Sequence, residues 1–391
     1  MALTPNSTFK GLRFDLWNLN SALHFHDCNG LRLKGTTHIN SPKLHISING
    51  CKDVDIRGVR ILAPKDSPNT DGIDISDSTH VNIHHSNIQT GDDCVAINGG
   101  VYDVNVTRVF CGPGHGISIG SLGEHGSHDT VEKVRVENCN ISGTQNGLRI
   151  KTVPYGTGYA RGIVFRKIHL VNVENPIIID QHYCANTENA ICPSPPSAPA
   201  VQVSDVRFDT QLNSVAVNGG VYDANVTRVF CGPGHGIGIS IGSLGENRGR
   251  DIVEKVRVED CNITGTTNGL RIKTVPYGRG YARGIIFRNI NLINVKRPII
   301  IDQHYCSNSN SEYAACRSPP SAPAIQVSDV RYENIYGSSA TQRAIIFSCS
   351  KKYKCIGIQT NRVVITGNNV FVVCKNVEGN FVDTTTPDTC R

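Results

Sequence analysis

A long internal repeat constrains the fold of this chain more than any other feature of its sequence. Three segments recur almost unchanged: 99–116 (GGVYDVNVTRVFCGPGHG) at 219–236, where Val104 becomes Ala224; 146–156 (NGLRIKTVPYG) at 268–278; and 176–184 (PIIIDQHYC) at 298–306. The two copies extend over about 95–209 and 215–332. Such near-identity indicates either a recent duplication or an error in the assembly of the gene. Repeats of fixed period are the signature of stacked repeat folds.

A finer repeat lies inside each copy. Short alternating runs such as 81–84 (VNIH), 134–137 (VRVE) and 163–166 (IVFR) are rich in Val and Ile, and Asn and Gly punctuate them. They recur roughly every twenty residues, and no segment of helical period interrupts them. A β-sandwich is the alternative, but it would not produce so regular a period. The sequence therefore predicts an all-β, right-handed parallel β-helix, a single domain over 1–391 that the tandem duplication elongates.

Cysteines and glycosylation motifs favour an extracellular location. The 15 cysteines show no zinc-ligand spacing, so disulfides in an oxidising compartment are expected. Five Asn-x-Ser/Thr motifs agree with secretion: Asn6, Asn105, Asn140, Asn225 and Asn262. No signal peptide opens the chain, and no apolar run is long enough to span a membrane. We expect a secreted cell-wall glycoprotein with a trimmed or incomplete N-terminus and no membrane partner.

The charge is mildly basic and diffuse. Lys and Arg number 39 against 33 Asp and Glu, which gives a net charge of +6, and aromatic residues make up only 6%. Nucleic-acid binding would require a clustered basic stripe with interleaved aromatics, so that partner is not expected. Diffuse positive charge suits an anionic polymer, although charge alone favours an ordinary surface.

Four polar blocks stand out in the first half: 69–74 (NTDGID), 91–94 (GDDC), 114–120 (GHGISIG) and 149–152 (RIKT). Asp92 follows Asp71 by 21 residues, and His115 follows Asp92 by 23, each about one coil. Residues one coil apart stack at roughly 4.8 Å on a parallel sheet. Asp71, the Asp92–Asp93 pair and His115 should therefore form a ladder on one outer face. Because adjacent strand residues point to opposite faces, a bulge is expected at 91–93.

Two further features extend this ladder. Arg149 and Lys151 lie two apart and share one face of a strand, so they offer a two-pronged site for a carboxylate-bearing sugar. Arg149 and then Tyr183 follow His115 at steps of 34 residues, as enlarged coils would require.

Three clustered carboxylates suit glycoside hydrolysis. Mutual repulsion should raise the pKa of at least one of them and keep it protonated as a general acid. Hydrolysis requires such an acid to protonate the leaving oxygen and a carboxylate to activate water. Each block alone fits an ordinary turn or solvated strand, but their order and their one-coil spacing favour an active site.

The blocks NTDGID, GDDC, GHGISIGSLG and RIKT, in this order, resemble those of plant polygalacturonases of glycoside hydrolase family 28, from about Trp17 onward. The resemblance implies a right-handed parallel β-helix that hydrolyses α-1,4-linked galacturonan with inversion and without a metal. We expect no cofactor, and we expect a monomer whose partner is the pectin polysaccharide. The roles that the resemblance implies are Asp92 as general acid, Asp71 and Asp93 as the residues that hold and activate water, His115 as a residue that tunes the acid, and Arg149, Lys151 and Tyr183 as ligands of the substrate carboxylate.

The second copy keeps the histidine, arginine, lysine and tyrosine of the motifs but reads QLNS at 211–214, where the first reads GDDC. We therefore expect catalysis only in the first copy, while the second retains groups that can bind polyuronate. Two other hypotheses remain: a non-catalytic pectin-binding protein or inactive relic, and a calcium-dependent pectate lyase. The order of the blocks favours the hydrolase.

Five disulfides are predicted: Cys94–Cys111, Cys184–Cys192, Cys306–Cys316, Cys349–Cys355 and Cys374–Cys390. Cys231 repeats Cys111, but Ser214 stands where its partner would be. Cys231 is therefore predicted to be an unpaired thiol.

Overall fold

The computed structural model describes residues 8–10, 13–15, 22–181, 183, 200–212, 215–217, 219–232, 237–245, 249–305 and 324–384. These residues form 34 strands and one 3-10 turn, Glu124–Gly126. The chain divides into two compact units, Met1–Ile178 with Pro199–Gln202, and Ile179–Ala198 with Val203–Arg391. No helix in the described part of the chain has the length and apolar character needed to cross a membrane.

The first unit contains the strands up to β19 and most of β20. Their bounds are β1 (Thr8–Lys10), β2 (Arg13–Asp15), β3 (Leu23–His26), β4 (Arg32–Lys34), β5 (Thr37–Ile39), β6 (Ile46–Asn49), β7 (Lys52–Arg57), β8 (Arg60–Leu62), β9 (Ile73–Ser76), β10 (Thr79–His84), β11 (Asn87–Gln89), β12 (Asp93–Ile97), β13 (Val101–Thr107), β14 (Phe110–Cys111), β15 (Gly116–Leu122), β16 (His128–Glu137), β17 (Asn140–Ser142), β18 (Asn146–Thr152), β19 (Thr157–Val171) and β20 (Asn175–Asp180).

The strands of this unit pair in parallel with strands one coil away. Strands β3, β6, β9, β12, β15 and β18 form one sheet, and the intervening strands pair in a second. One register line passes through Val81, Val104, Val134 and Ile163, and all four side chains are fully buried. Like residues thus stack on like residues along the interior, as a parallel β-helix requires. The predicted fold class is confirmed.

The second unit repeats this construction. Its strands are β21 (Gln202–Leu212), β22 (Val215–Val217), β23 (Val221–Cys231), β24 (Ile237–Leu244), β25 (Arg250–Glu259), β26 (Asn262–Thr264), β27 (Asn268–Thr274), β28 (Arg279–Val295), β29 (Arg297–Asp302), β30 (Gln326–Ser339), β31 (Arg343–Ser348), β32 (Cys355–Thr366), β33 (Phe371–Lys375) and β34 (Val377–Thr384).

The interior of the second unit also stacks by register. Val226, Val258, Phe287 and Tyr332 lie on one line, and all four are fully buried. The rings of Phe287 and Tyr332 stack with centroids 5.1 Å apart. That the two units form one continuous domain over 1–391 stays a prediction.

Asparagines close the coils in two ways. Asn40 and Asn172 take left-handed backbone conformations, with φ of 51° and 52°, which asparagine tolerates better than most residues. Asn49 instead donates from its side chain to Ser76 Oγ at 2.8 Å, one coil further on. The regularly spaced asparagines of the sequence therefore include turn residues and residues whose side chains hydrogen-bond to the next coil.

Candidate active site

The predicted ladder exists in the first unit. The backbone nitrogen of Gly72 donates to Asp93 O at 2.9 Å, and that of His115 donates to Asp92 O at 2.9 Å. Strand β12 pairs with β15 so that Asp93 lies opposite Gly116. Successive coils therefore bring Asp71, the Asp92–Asp93 pair and His115 to one place, as the spacing of 21 and 23 residues predicts.

The backbone irregularity lies slightly later than predicted. Asp92 precedes β12, which begins at Asp93, and the register shifts between Asp93 and Val95. The extra residue is Cys94, whose side chain is fully buried and joined to Cys111. Because the bulge falls at this buried cysteine and not at 91–93, Asp93 is a strand residue while Asp92 reaches the site from the preceding bend.

Asp93 is held by both cations of the RIKT block. Arg149 Nη2 donates to Asp93 Oδ1 at 2.9 Å and to Oδ2 at 3.2 Å, and Lys151 Nζ donates to Oδ2 at 3.2 Å. All three side chains are buried, Asp93 to 2% exposure and the cations to 8% each. Buried ion pairs need this many contacts because each charge has lost its water.

The step of 34 residues does not describe how Arg149 is placed. In the register of β15 and β18, Arg149 lies opposite Ser118 and not opposite His115. The true offset between these coils is thus 31 residues, and Arg149 sits further along the strand than the ladder. Its long side chain spans the difference and reaches Asp93. Counting residues between motifs therefore predicted the wrong backbone position for Arg149, although its side chain still joins the carboxylate cluster.

Asp92 pairs with His115. Their Oδ1 and Nδ1 atoms are 2.8 Å apart, and both side chains are partly exposed. Burial opposes ionisation of Asp92, but the hydrogen bond and charge of His115 outweigh it and hold the pKa of this carboxyl below its usual value. The backbone nitrogen of Asp93 adds a further hydrogen bond to Asp92 Oδ1 at 2.9 Å.

Asp71 titrates in the opposite direction. Burial, then the charges of Asp92, Asp93 and Asp74, raise the pKa of Asp71 from 3.8 to about 8. Burial first, and repulsion within the cluster second, therefore favour the protonated form of one carboxyl. In the substrate-free structure that carboxyl is Asp71 and not Asp92.

Sequence reasoning missed two residues of this cluster. Burial raises the pKa of Asp74 to about 6, while a hydrogen bond from Asn98 Nδ2, at 2.9 Å, opposes the rise. Asp74 lies within the quoted NTDGID block, three residues after Asp71, but it was assigned no role. The sequence did contain an indication of its position. Asp74 lies two residues after Gly72, on the strand that directly follows Asp71.

The other missed residue is His45, one coil before Asp71. Its backbone nitrogen donates to Asp71 O at 2.9 Å, and its ring Nδ1 lies 3.1 Å from the same oxygen. Ring Nε2 accepts from the backbone nitrogen of Ser41 at 3.3 Å, which places the ring proton on Nδ1. Burial lowers the pKa of His45, so it stays neutral and supports the Asp71 backbone.

Glycines on both sides of His115 are required by the close approach of neighbouring coils. Gly114 has φ of +129°, and an added Cβ would lie 2.4 Å from Asp92 O. Gly116 has φ of +86°, and its Cβ would lie 2.2 Å from Asn146 O. The GHG block is therefore both a structural requirement and the device that sets His115 against Asp92.

Asp92, Asp93 and His115 are residue types that often bind metal cations. A ligating atom from each of Asp92, Asp93 and His115 lies within 4.8 Å of the others. Two cations already compensate Asp93, and His115 is hydrogen-bonded to Asp92, so these groups fit an internal network better than a metal. The prediction of a metal-free site stays a prediction.

Tyr183 belongs to the second unit. It is partly buried, and its role as a ligand of the substrate stays a prediction. His182 and His235 lie outside the described residues.

The second copy of RIKT has different neighbours. The guanidinium carbon of Arg271 lies 4.7 Å from the centre of the Tyr305 ring, and Lys273 Nζ lies 4.5 Å from it. Arg271 is buried to 9% exposure, whereas Lys273 is more exposed than Lys151.

The cysteines behave largely as expected. The predicted bonds Cys94–Cys111 and Cys349–Cys355 are present. Cys374 is also disulfide-bonded, but Cys390 and both members of the other two predicted pairs lie outside the described residues. Cys231 is a buried free thiol, as predicted. The free and buried thiols among the described residues also include Cys28, Cys51, Cys139 and Cys261.

The chain is similar to several known proteins. The sequence profile of glycosyl hydrolases family 28 matches residues 10–211 and 196–386. A probable polygalacturonase of Arabidopsis thaliana is 50% identical over 212 residues, 54% of this chain and 46% of that protein. A polygalacturonase of Prunus persica is 47% identical over 204 residues, 50% of each chain. A solved polygalacturonase from Erwinia carotovora ssp. carotovora is 28% identical, covering 57% of this chain and 56% of that one, with a TM-score of 0.43.

The chain spans about half the length of the curated relatives it matches. The family profile, in contrast, matches twice and together covers nearly all of its residues. The first match contains the complete carboxylate cluster, and the second contains the copy that lacks it. By this double match, the chain belongs to glycosyl hydrolases family 28.

Proposed function

We propose that this chain is a polygalacturonase that hydrolyses α-1,4-galacturonosidic bonds of de-esterified pectin. The observation that carries the proposal is the cluster of three carboxyls, Asp71, Asp92 and Asp93, which successive coils bring together with His115, Arg149 and Lys151. A glycosidase that inverts configuration needs one protonated and one ionised carboxyl at the same bond.

The reaction needs two proton transfers. A carboxylic acid gives its proton to the glycosidic oxygen as the bond to the anomeric carbon breaks. A carboxylate takes a proton from the water that attacks that carbon from the opposite face, so the new hydroxyl has inverted configuration. We assign Asp92 as the acid and Asp71 and Asp93 as the residues that hold and activate water, on the strength of the family motif.

The substrate-free proton position bears on this assignment. Asp71 and Asp92 influence each other's charge, so their protons belong to the pair and not to one residue. The assignment of Asp92 as the acid therefore requires that the proton of this pair reside on Asp92 when the substrate is bound.

His115, Arg149 and Lys151 support these carboxyls. His115 fixes the orientation of Asp92, and the two cations compensate the charge of Asp93. We also assign Arg149, Lys151 and Tyr183 as ligands of the substrate carboxylate, on the strength of the family motif alone. The partner is polygalacturonate, and we place the enzyme in the cell wall as a secreted monomer.

Reducing-sugar release from polygalacturonate tests the proposal. The full chain should release reducing ends, the activity should persist in EDTA, and the products should have no unsaturated ends. Unsaturated products that require calcium would identify a lyase. A folded chain that binds polygalacturonate but releases no reducing ends would identify a non-catalytic pectin-binding protein. Asp92→Asn is the matched control, since the amide keeps the shape of the side chain but cannot donate the acid proton.

A further inference from the structure

An exposed aromatic ring lies beside a glycosylation motif in the first unit. Phe110 is 39% exposed, and in the register of β14 and β17 it lies opposite Asn140. Asn140 and Ser142 share the outer face of β17, because Ile141 between them is fully buried. They form an Asn-x-Ser motif, the acceptor sequence for an N-linked glycan. Partners on adjacent strands are roughly 4.8 Å apart, so the ring and the acceptor asparagine are direct neighbours.

Phe110 and Asn140 both line an open groove of about 510 Å³. Arg60, Asn87 and Asn138 lie along the same groove. This combination suits a sugar, because the C–H face of a pyranose packs on an aromatic ring while amide and guanidinium groups hydrogen-bond to its hydroxyls. Strands β14 and β17 belong to the larger sheet, whereas the carboxylate cluster lies on the other sheet. A sugar in this groove would therefore leave the cluster accessible.

The amide of Asn140 is available, unlike those of two other motifs. Neither Asn140 nor Asn262 makes a side-chain hydrogen bond to another described residue. In contrast, Asn105 Nδ2 donates to Asp103 Oδ1 at 3.5 Å. Asn225 Oδ1 accepts a hydrogen bond from Arg257 Nη1 at 3.4 Å. Among the motifs on described residues, the two with unused amides are thus Asn140 and Asn262.

The second unit repeats the pair of ring and acceptor. Phe230 is 50% exposed and lies opposite Asn262 in the register of β23 and β26. Thr264 stands where the first copy has Ser142, and it completes the motif equally well. A single exposed phenylalanine is ordinary on a protein surface. Here both copies place it directly beside an acceptor asparagine.

We propose that Asn140 and Asn262 carry N-linked glycans, and that Phe110 and Phe230 hold the first sugar of each glycan against the protein. In the attachment, the asparagine side-chain nitrogen bonds to C1 of an N-acetylglucosamine and loses one proton. The bond from C1 to the diphosphate of a lipid-linked oligosaccharide breaks, and the lipid diphosphate leaves. The inference rests on the secretion proposed above, because this transfer belongs to the secretory pathway. Each glycan covers an exposed ring and makes this surface more soluble.

Glycopeptide mass spectrometry tests the attachment. The full chain, expressed with a secretion signal in eukaryotic cells, should carry glycans on both Asn140 and Asn262. A secreted chain with neither glycan would overturn the inference. Reducing-sugar release by the same sample is measured separately, and Asn140→Gln should leave it unchanged. Glycans held by the two rings in a chain without that activity would uphold the inference and reject the proposed function alone.

A double-mutant cycle in the secreted chain tests the contact between ring and sugar. Phe110→Ala should lower the melting temperature by about one to two degrees more in the glycosylated chain than in Asn140→Gln. Phe110→Tyr keeps the ring and should show no such dependence. Phe230→Ala is the matched control, since its effect should depend on Asn262→Gln and not on Asn140→Gln. Equal shifts for Phe110→Ala with and without the Asn140 glycan would contradict the contact.

Discussion

The two copies of the repeat share a scaffold and differ in chemistry. Both show the same surface pairs: Arg161 with Glu132 at 2.9 Å in the first, and Arg283 with Glu254 at 3.1 Å in the second. Asp129 accepts the backbone nitrogen of Gly123 at 2.6 Å, and its counterpart Asp251 accepts that of Gly245 at 2.6 Å. Near-identical segments thus fold in the same way, and these side-chain contacts recur with them.

The difference arises where the duplication begins. The repeated segment starts at about residue 95, just after Cys94, so the loop that carries Asp92 and Asp93 was not copied. The second unit therefore has the strand that holds a carboxylate, but QLNS stands in place of the loop that supplies one. In a stacked fold the side chains of a coil meet those of coils close to it, as Asp93 meets Arg149 two coils further on, so a catalytic site is a property of several successive coils and not of one copied segment.

The largest effect is expected from Asp92→Asn. Loss of a general acid should lower the rate of hydrolysis by about 10²–10⁴-fold, while binding of polygalacturonate is largely kept. The second copy offers no carboxyl in its place, so no residual activity is expected from it. Reducing-sugar assays and binding measurements on the same variant check this, and turnover at the normal rate would remove Asp92 from its role.

Arg149→Ala and Arg271→Ala form a matched pair for stability. The first leaves Asp93 buried at 2% exposure with one cation fewer, which should cost about 3–5 kcal/mol. The second removes a cation that rests on a tyrosine ring, which should cost about 1–2 kcal/mol. Urea unfolding of the two full chains compares them directly. Equal losses would mean that Arg271 has a buried carboxylate partner of its own.

The fold could be predicted from the sequence more fully than the site. Alternation and period are enough for a parallel β-helix, because stacking requires like side chains at each register position, as at Val81, Val104 and Val134. Coil spacing also identified the partners Asp92 and His115.

The bulge at Cys94 and the position of Arg149 were predicted wrongly, since loop lengths and bulges change the strand register without changing the alternation of residue types. The role of His45 depends on a ring that contacts a backbone oxygen, and no pattern of residue types predicts that contact.

The disulfide offers a way to make the first copy resemble the second. Cys94→Ser recreates the state of the second copy, and loss of this 17-residue loop closure should lower the free energy of unfolding by about 3 kcal/mol. Cys231→Ala removes a buried thiol that forms no disulfide among the described residues and should cost about 1 kcal/mol. Thermal unfolding measures both, and thiol titration in denaturant should find one fewer thiol in Cys231→Ala. Equal destabilisation by the two changes would contradict the comparison.

The smallest effect concerns pH. Because the folded pKa of Asp71, about 8, lies above its ordinary value of 3.8, its protonated form contributes stability that is complete at low pH and lost as the pH rises through about 8. Asp71→Asn cannot ionise, so relative to the unsubstituted chain it should gain about one to three degrees in melting temperature between about pH 5 and pH 9. Asp66→Asn, at an exposed nearby carboxyl, should show no such gain. No gain over this range would mean that Asp71 is already ionised in the folded protein at pH 5.

Paired histidine variants test most directly the claim that catalysis belongs to the first copy alone. His115 pairs with Asp92, whereas His235 stands in a copy with no carboxyl at the corresponding position. The measurement is the rate of reducing-sugar release by His115→Ala and His235→Ala, each compared with the unsubstituted chain at equal folded concentration. We predict a loss of about 10²-fold or more for His115→Ala and a rate within about twofold of normal for His235→Ala. Comparable losses in the two variants, with folding intact, would show that both copies contribute to one site and would contradict the account.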